Sequence, residues 1–211
     1  KVVLYGAISS LGSALMSEML RRQYEVIAII DDLNALAPRP GLRTKTGDLF
    51  DAQRVKQSVA GSSVVICLLD APGLPFNSEH VAKIIVPGPV EQVLAVDALI
   101  NGMQAANIAR LFLVGDFDVL DEPEAEDSLQ RHAAEEIREA LQSSPLKWTL
   151  VNEPRGVAGL TIEHFAQIGG NLEPGLAEPL GRLARTAVGI ADELQLNLHI
   201  REHVNFIATD S

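Results

Sequence analysis

Residues 1–12 read KVVLYGAISSLG. Val2, Val3 and Leu4 form a short run of apolar, β-favouring residues, and Gly6 interrupts it. Beyond Gly6 the apolar residues recur with helical period, so that Leu11, Ala14, Leu15, Met19 and Leu20 share one face. The stretch therefore reads as strand, glycine turn, helix. This is the first βα unit of a doubly wound α/β protein, whose turn faces the ligand crevice. Gly6 permits the tight turn, and Gly12 lets the helix pack close to the sheet. The helix start offers unpaired N–H groups and the positive end of the dipole, which suits a pyrophosphate. In the dinucleotide fingerprint a middle glycine lets the backbone approach the phosphates; here Ser9 holds that place. Gly6 and Gly12 also fit a βα turn that needs them only for its own geometry.

Working outward, residues 25–30 (EVIAII) form a second strand ending in Asp31-Asp32. An acidic residue at this point of a dinucleotide fold accepts hydrogen bonds from the ribose 2′-hydroxyl and repels a 2′-phosphate. Asp31 lies nineteen residues after Gly12, the spacing such a role needs, and it favours NAD over NADP. The pair equally suits the start of a solvated loop. Residues 42–46 form a short strand, and Asp51 caps a helix that ends before Gly61. Residues 63–69 are almost wholly apolar, as in the buried centre of a parallel sheet. The Pro/Gly loop at 70–77 (DAPGLPFN) follows at the carboxyl end of that strand and borders the crevice. Residues 79–89 carry no decisive pattern. A helix is expected over 90–107, a strand at 110–114, a helix over 128–143 and a strand at 146–151. The acidic run 116–127 reads mainly as a solvated loop, with Asp116 and Asp118 set apart by their place at a strand's carboxyl end. From Arg155 glycines and prolines punctuate short apolar pieces, which predicts a small loop-rich lobe over the site, a helix at 184–194 and a last strand at 204–208.

Composition bounds the function. Of 211 residues 47% are hydrophobic, enough for one substantial core. The net charge of −11 argues against nucleic acid or an anionic membrane surface as partner, because both need positive patches. It leaves room for an anionic cofactor held by backbone amides. The one cysteine, Cys67, sits inside the apolar strand and reads as a small buried hydrophobe. No stretch suits a membrane span and no signal peptide is visible, so the expected compartment is the cytoplasm.

The ordered set of GAISSLG, a strand closing on Asp31-Asp32, TGDLFD at 46–51, the central apolar strand, RLFLVG at 110–115 and KWTLVNEP at 147–154 resembles a known family. It is similar to the atypical short-chain dehydrogenase/reductases: NAD(P)H-binding, NmrA-like proteins that include small flavin and biliverdin-IXβ reductases. The resemblance runs along nearly the whole chain. It implies a single Rossmann-type domain over residues 1–211, with 155–211 forming the substrate-side lobe, and NAD(P) as cofactor. By resemblance Gly6, Ala7, Ser9, Ser10, Leu11 and Gly12 line the pyrophosphate. Asp31 and Asp32 meet the adenosine ribose, and Asp48 and Leu49 the adenine. Leu68, Leu69 and Asp70 run beneath the nicotinamide-side ribose, Gly115 and Asp116 border the nicotinamide, and Pro154 stands at the substrate side.

The chain departs from the family pattern in three places. The usual G-A-T-G-x-x-G turn has lost its threonine and its middle glycine. An arginine common near Asp31 is replaced by acid. Asp116-Phe117-Asp118 puts negative charge beside the hydride path, which disfavours an anionic flavin phosphate.

The chemistry can be narrowed further. Carbonyl reduction of the common short-chain type uses Tyr-x-x-x-Lys, in which the lysine lowers the tyrosine pKa. Four residues after Tyr5 and Tyr24 stand Ser9 and Ala28, so the pair is absent. Hydride transfer to a small conjugated, flavin- or quinone-like acceptor remains, because the acceptor stabilises the added charge itself. The histidines are His80, His132, His164, His199 and His203; none forms an H-E-x-x-H zinc pattern, and no G-x-S-x-G elbow occurs. Two readings stand: an NAD(P)H-dependent reductase, or a non-catalytic dinucleotide sensor or interaction protein on the same fold.

Overall fold

The structure, a computed structural model, describes residues 1–76, 87–122, 128–166 and 173–206. His80, most of the 79–89 segment, Asn77 and the end of the expected 204–208 strand lie outside the described residues.

Among the described residues seven parallel strands make one sheet: β1 (Val2–Tyr5), β2 (Val26–Ile29), β3 (Leu42–Lys45), β4 (Val64–Leu68), β5 (Arg110–Gly115), β6 (Lys147–Asn152) and β7 (Glu202–Val204). Their order across the sheet is β3-β2-β1-β4-β5-β6-β7. This is the Rossmann-type doubly wound arrangement expected from the first βα unit. β1, β4 and β5 are buried throughout, because the sheet is covered on both faces. Edge strand β3 alternates instead between half-buried and exposed residues. In register, Leu4 of β1 pairs with Ala28 of β2 on one side and Ile66 of β4 on the other. The chain runs outward from β1 to β3 and then returns to β4 on the far side of β1. The crevice of such a sheet opens at that reversal, beyond the carboxyl ends of β1 and β4.

Among the described residues six α-helices cover the sheet: α1 (Ser10–Arg21), α2 (Ala52–Val59), α3 (Pro89–Ala105), α4 (Leu129–Ser143), α5 (Ile162–Ala166) and α6 (Ala177–Leu196). α1, α5 and α6 pack together, as do α2, α3 and α4, one group on each face. Their starts follow from sequence. Asp51 accepts from the Gln53 amide at 2.8 Å, Ser128 accepts from the Arg131 amide at 3.2 Å, and Pro89 opens α3 where no N–H is needed. No helix among the described residues is long and apolar enough to cross a membrane.

The C-terminal part departs from the sequence expectation. α6 begins seven residues before the expected 184, at Ala177, and passes through Pro179 and Gly181. Proline in the first turn costs little, since the amides there have no intrahelical partner. The resulting 20-residue helix lies along α1, and the short α5 comes before it. The last strand falls at Glu202–Val204, earlier than 204–208.

A buried ion pair ties α6 to the amino end of β5. Arg110 and Glu193 are 8% and 3% exposed, with Nη2 3.4 Å from Oε1. Arg110 also donates to the Asn197 side chain at 3.0 Å and to the Lys147 carbonyl at 2.9 Å. Burial pulls its pKa down to about 10, against the opposing charge of Glu193. Removing one partner leaves the other charge uncompensated. Glu193→Ala is expected to cost about 3–5 kcal/mol in urea unfolding, and adding Arg110→Met to it recovers most of that loss.

Candidate functional site

The turn after β1 is built by two close approaches. Gly6 has φ +96°, and a Cβ there would lie 2.7 Å from the Leu68 Cβ of β4. A Cβ on Gly12 would lie 2.2 Å from the Gly6 carbonyl oxygen. Only glycine lets α1 rest on the turn and the turn rest on the end of β4. Ser9 is the N-cap: its hydroxyl accepts from the Gly12 amide at 2.9 Å and donates to the Gly6 carbonyl at 2.8 Å. That hydroxyl is engaged within the turn. The amides of Ser10 and Leu11, in the open first turn of α1, take no hydrogen bond among the described residues.

Ser10 has a second role, which no local pattern signals. Its hydroxyl donates to the Val157 carbonyl at 2.6 Å and accepts from the Leu160 amide at 3.0 Å. These bonds strap the segment after β6 onto the start of α1. A cavity of about 230 Å³ lies beneath, lined among others by Ser9, Ser10, Asp70, Glu153, Pro154 and Val157. Ala7 is wholly buried under the turn.

A second cavity of about 530 Å³ lies beyond β2 and β3. Asp31 and Asp32 line it, with Thr46, Gly47, Arg54 and Phe76. Asp48 and Leu49, expected at the adenine, are placed behind this wall. The Asp48 carboxylate accepts from the Phe50 amide at 2.9 Å, and the Leu49 side chain is in the core. Gly73, at φ +70°, brings the loop after β4 against Ile8, which lines the first cavity, and Asp31, which lines the second.

At the other end three acidic side chains gather from three strand ends. Leu68 and Leu69 are fully buried and form the floor, so Asp70 is the residue of that run that reaches the crevice. Its Oδ1 accepts from Gln92 Nε2 of α3 at 2.7 Å, and its Oδ2 from the Asp116 amide at 3.0 Å. Glu153, just after β6, donates its backbone amide to the Gly115 carbonyl at 2.8 Å and hydrogen-bonds Asp70 through its side chain. Desolvation pushes the Glu153 carboxyl up to about 8, helped by the charge of Asp70, by that hydrogen bond and by the charge of Asp116. Desolvation likewise raises Asp116, with Asp118 and Asp70 adding to it; a hydrogen bond from the Asp118 backbone and the charge of Arg155 oppose. Sequence reasoning treated Glu153 only as part of the residues ending a strand, and missed Gln92 altogether, since a buried glutamine on an apolar helix carries no motif.

The described histidines lie elsewhere. His203 Nε2 donates to Asn152 Oδ1 at 2.6 Å on the β6–β7 side, and burial lowers its pKa against the pull of Asp121 and Asp118. His164 accepts from the Thr161 amide and closes the start of α5. His199 pairs with Glu202 at 2.8 Å. Burial pushes the Cys67 thiol up to about 12, in keeping with an unreactive core residue.

A parallel sheet with its order reversed at β1, a glycine-built turn, open amides at the start of α1 and an acidic residue after β2 define a Rossmann-type dinucleotide crevice. Residues 6–164 match the family described as NAD(P)H-binding, and the chain belongs to that family. This agrees with the resemblance to atypical, NmrA-like short-chain dehydrogenase/reductases. No curated protein is significantly similar to the chain in sequence. Among solved structures it is similar to a Rossmann-fold NAD(P)-binding family protein from Shigella flexneri (TM-score 0.60, 15% identity, 97% of this chain and 91% of that one). It is similar also to a wide-type short-chain dehydrogenase/reductase from Veillonella parvula in complex with NADP (0.64, 11%, 97% and 92%). A third is the Bordetella bronchiseptica enzyme WbmH in complex with NAD+ (0.63, 16%, 99% and 75%). At these identities the likeness is one of fold.

The cap assignment makes a direct prediction. Ser9→Ala is expected to lower stability by about 1 kcal/mol, or roughly 2–4 °C in Tm, whereas Ser9→Gly costs a few tenths of a kcal/mol. Thermal unfolding of the three proteins side by side checks it.

Proposed function

We propose that the protein is an NADH-preferring reductase that passes hydride to a small, uncharged conjugated acceptor. The observation that carries this reading is the crevice itself: open first-turn amides, flanked by the Asp31 cavity on one side and the Asp70–Glu153 cavity on the other. These residues fit a dinucleotide. The Ser10 and Leu11 amides would hold the pyrophosphate, with no side-chain cation needed. Asp31 would accept from the adenosine ribose and disfavour a 2′-phosphate. Bound there, the reduced nicotinamide would supply the hydride. The strap over residues 157–160 would exclude water, and the apolar floor of Leu68 and Leu69 would support the stacked reactants, so that positioning carries much of the rate.

The acidic end sets the acceptor class. Asp116 and Asp118 are exposed after β5, with Asp70 next to Asp116, so an acceptor with a phosphate meets like charge. Riboflavin and quinones fit better than FMN. A cytoplasmic location suits this reading.

The seam between Ile8 and the loop after β4 favours a second reading, a dinucleotide sensor or interaction protein, because a dinucleotide laid across both cavities must cross it. Calorimetric titration with NADH and NADPH separates the readings. NADH is expected to bind more tightly, and Asp31→Ala to narrow the gap about tenfold, or 1.4 kcal/mol. Arg54→Ala serves as control for the cation lining the same cavity. Tighter NADPH overturns the preference, and no binding of either overturns the reductase. In turnover with NADH, riboflavin is expected to be reduced faster than FMN, which differs from it by a phosphate; equal rates remove the charge argument.

A further inference from the structure

We infer that Glu153 is the proton donor of this site: held against Asp70 as a neutral acid at the rim of the reactive cavity, it protonates the acceptor that receives the hydride. The inference rests on the reductase reading above and adds to it the group that completes the reduction.

Both carboxylate oxygens of Asp70 accept hydrogen bonds from neutral donors, Gln92 Nε2 and the Asp116 amide, so neither is free to turn away from Glu153. Burial first, and then the acidic neighbours Asp70 and Asp116, favour the protonated form of Glu153. No cation of the described residues is paired with either carboxyl. The groups that face Glu153 are Asp70 from β4 and Asp116 after β5, with Asp118 beyond it. Arg155, next along the chain, acts on Asp116. The turn after β1, α1 and α6 bring only Ile8, Ser9, Ser10, Leu11 and Leu183 to the cavity, none of them charged. The neutral acid is thus a product of place, and its raised pKa lies near working pH, where general acids are most effective.

The step balances. The hydride adds to the acceptor with its electron pair, and the cofactor is oxidised. The Glu153 O–H bond breaks, its proton forms a new O–H or N–H bond on the acceptor, and the carboxylate left behind takes a proton from water. The absence of a Tyr-x-x-x-Lys pair leaves this role open, and Glu153 is the acid that faces the cavity from the strand end next to the expected nicotinamide position.

The test uses the full chain and Glu153→Gln. Gln keeps the size and the donor of the neutral acid and removes its proton. In infrared titration between about pH 5 and pH 9, wild type is expected to show a protonated-carboxyl band that disappears near pH 8, absent from Glu153→Gln. Stability gives a second readout. A carboxyl whose folded pKa is raised makes the fold lose stability as pH rises from its unfolded value of 4.5 to about 8. Glu153→Gln removes that loss and is expected to unfold roughly 3 °C or more above wild type at pH 9, but not at pH 4. With NADH and menadione, kcat of the variant is expected to fall about 100-fold or more at unchanged NADH affinity, without the wild type's decline above pH 8. A variant that keeps both rate and pH profile overturns the inference and leaves the reductase standing. The same holds if the band and the stability difference are missing. Failure to bind NADH or NADPH overturns the reductase reading, and this inference with it.

Discussion

The contact between the first turn and the fourth strand governs this structure. Gly6 presses against Leu68, and Gly12 seats α1 on the Gly6 carbonyl. Any side chain at either place would push the helix off the sheet or the turn off β4. Because β1 and β4 are the neighbours across which the strand order reverses, the same contact fixes where the crevice opens. Everything that follows is hung from it: the open amides of α1, the floor of Leu68 and Leu69, and the position of Asp70 one residue further on. Ser9 fits this frame because a serine at the N-cap holds the turn from inside.

Electrostatics divides the crevice. Its middle relies on backbone amides, which bind an anion without adding net positive charge to a chain that carries −11. One side presents Asp31 and Asp32 in a wide cavity together with Arg54. The other concentrates three carboxyl groups from the ends of β4, β5 and β6. A parallel sheet delivers such convergence naturally, since every strand ends at the same rim. Gln92 reaches across from α3 and holds one of the three, Asp70.

The fold was largely legible in the sequence because its signals are local. The run-turn-period pattern at 1–20, the uninterrupted apolar strand at 63–69 and the capped helix after Asp51 each declare themselves within a dozen residues. Asp31 was singled out by its spacing from Gly12, and it lines the cavity beyond β2. The site's working parts were less legible, since they depend on contacts between distant segments. The Ser10 strap joins residues about 150 apart, and the Gln92–Asp70 bond crosses from a helix to a strand end. Glu153 becomes distinctive only when Asp70 and Asp116 are beside it. At α6 the error had another source: Pro179 and Gly181 read as breakers, although a first turn tolerates the proline and packing against α1 carries the helix through the glycine.

The strap has a consequence for the order in which the molecule matures. The cavity at Asp31 is lined by residues drawn from 31–76 alone. The cavity at Glu153 requires residues 153–160 to return to the first turn of α1, a loop closure across nearly three quarters of the chain. Such long-range closure comes late in folding. The two ends of the crevice therefore differ in contact order, and the segment after β6 docks after the contacts that line the Asp31 end.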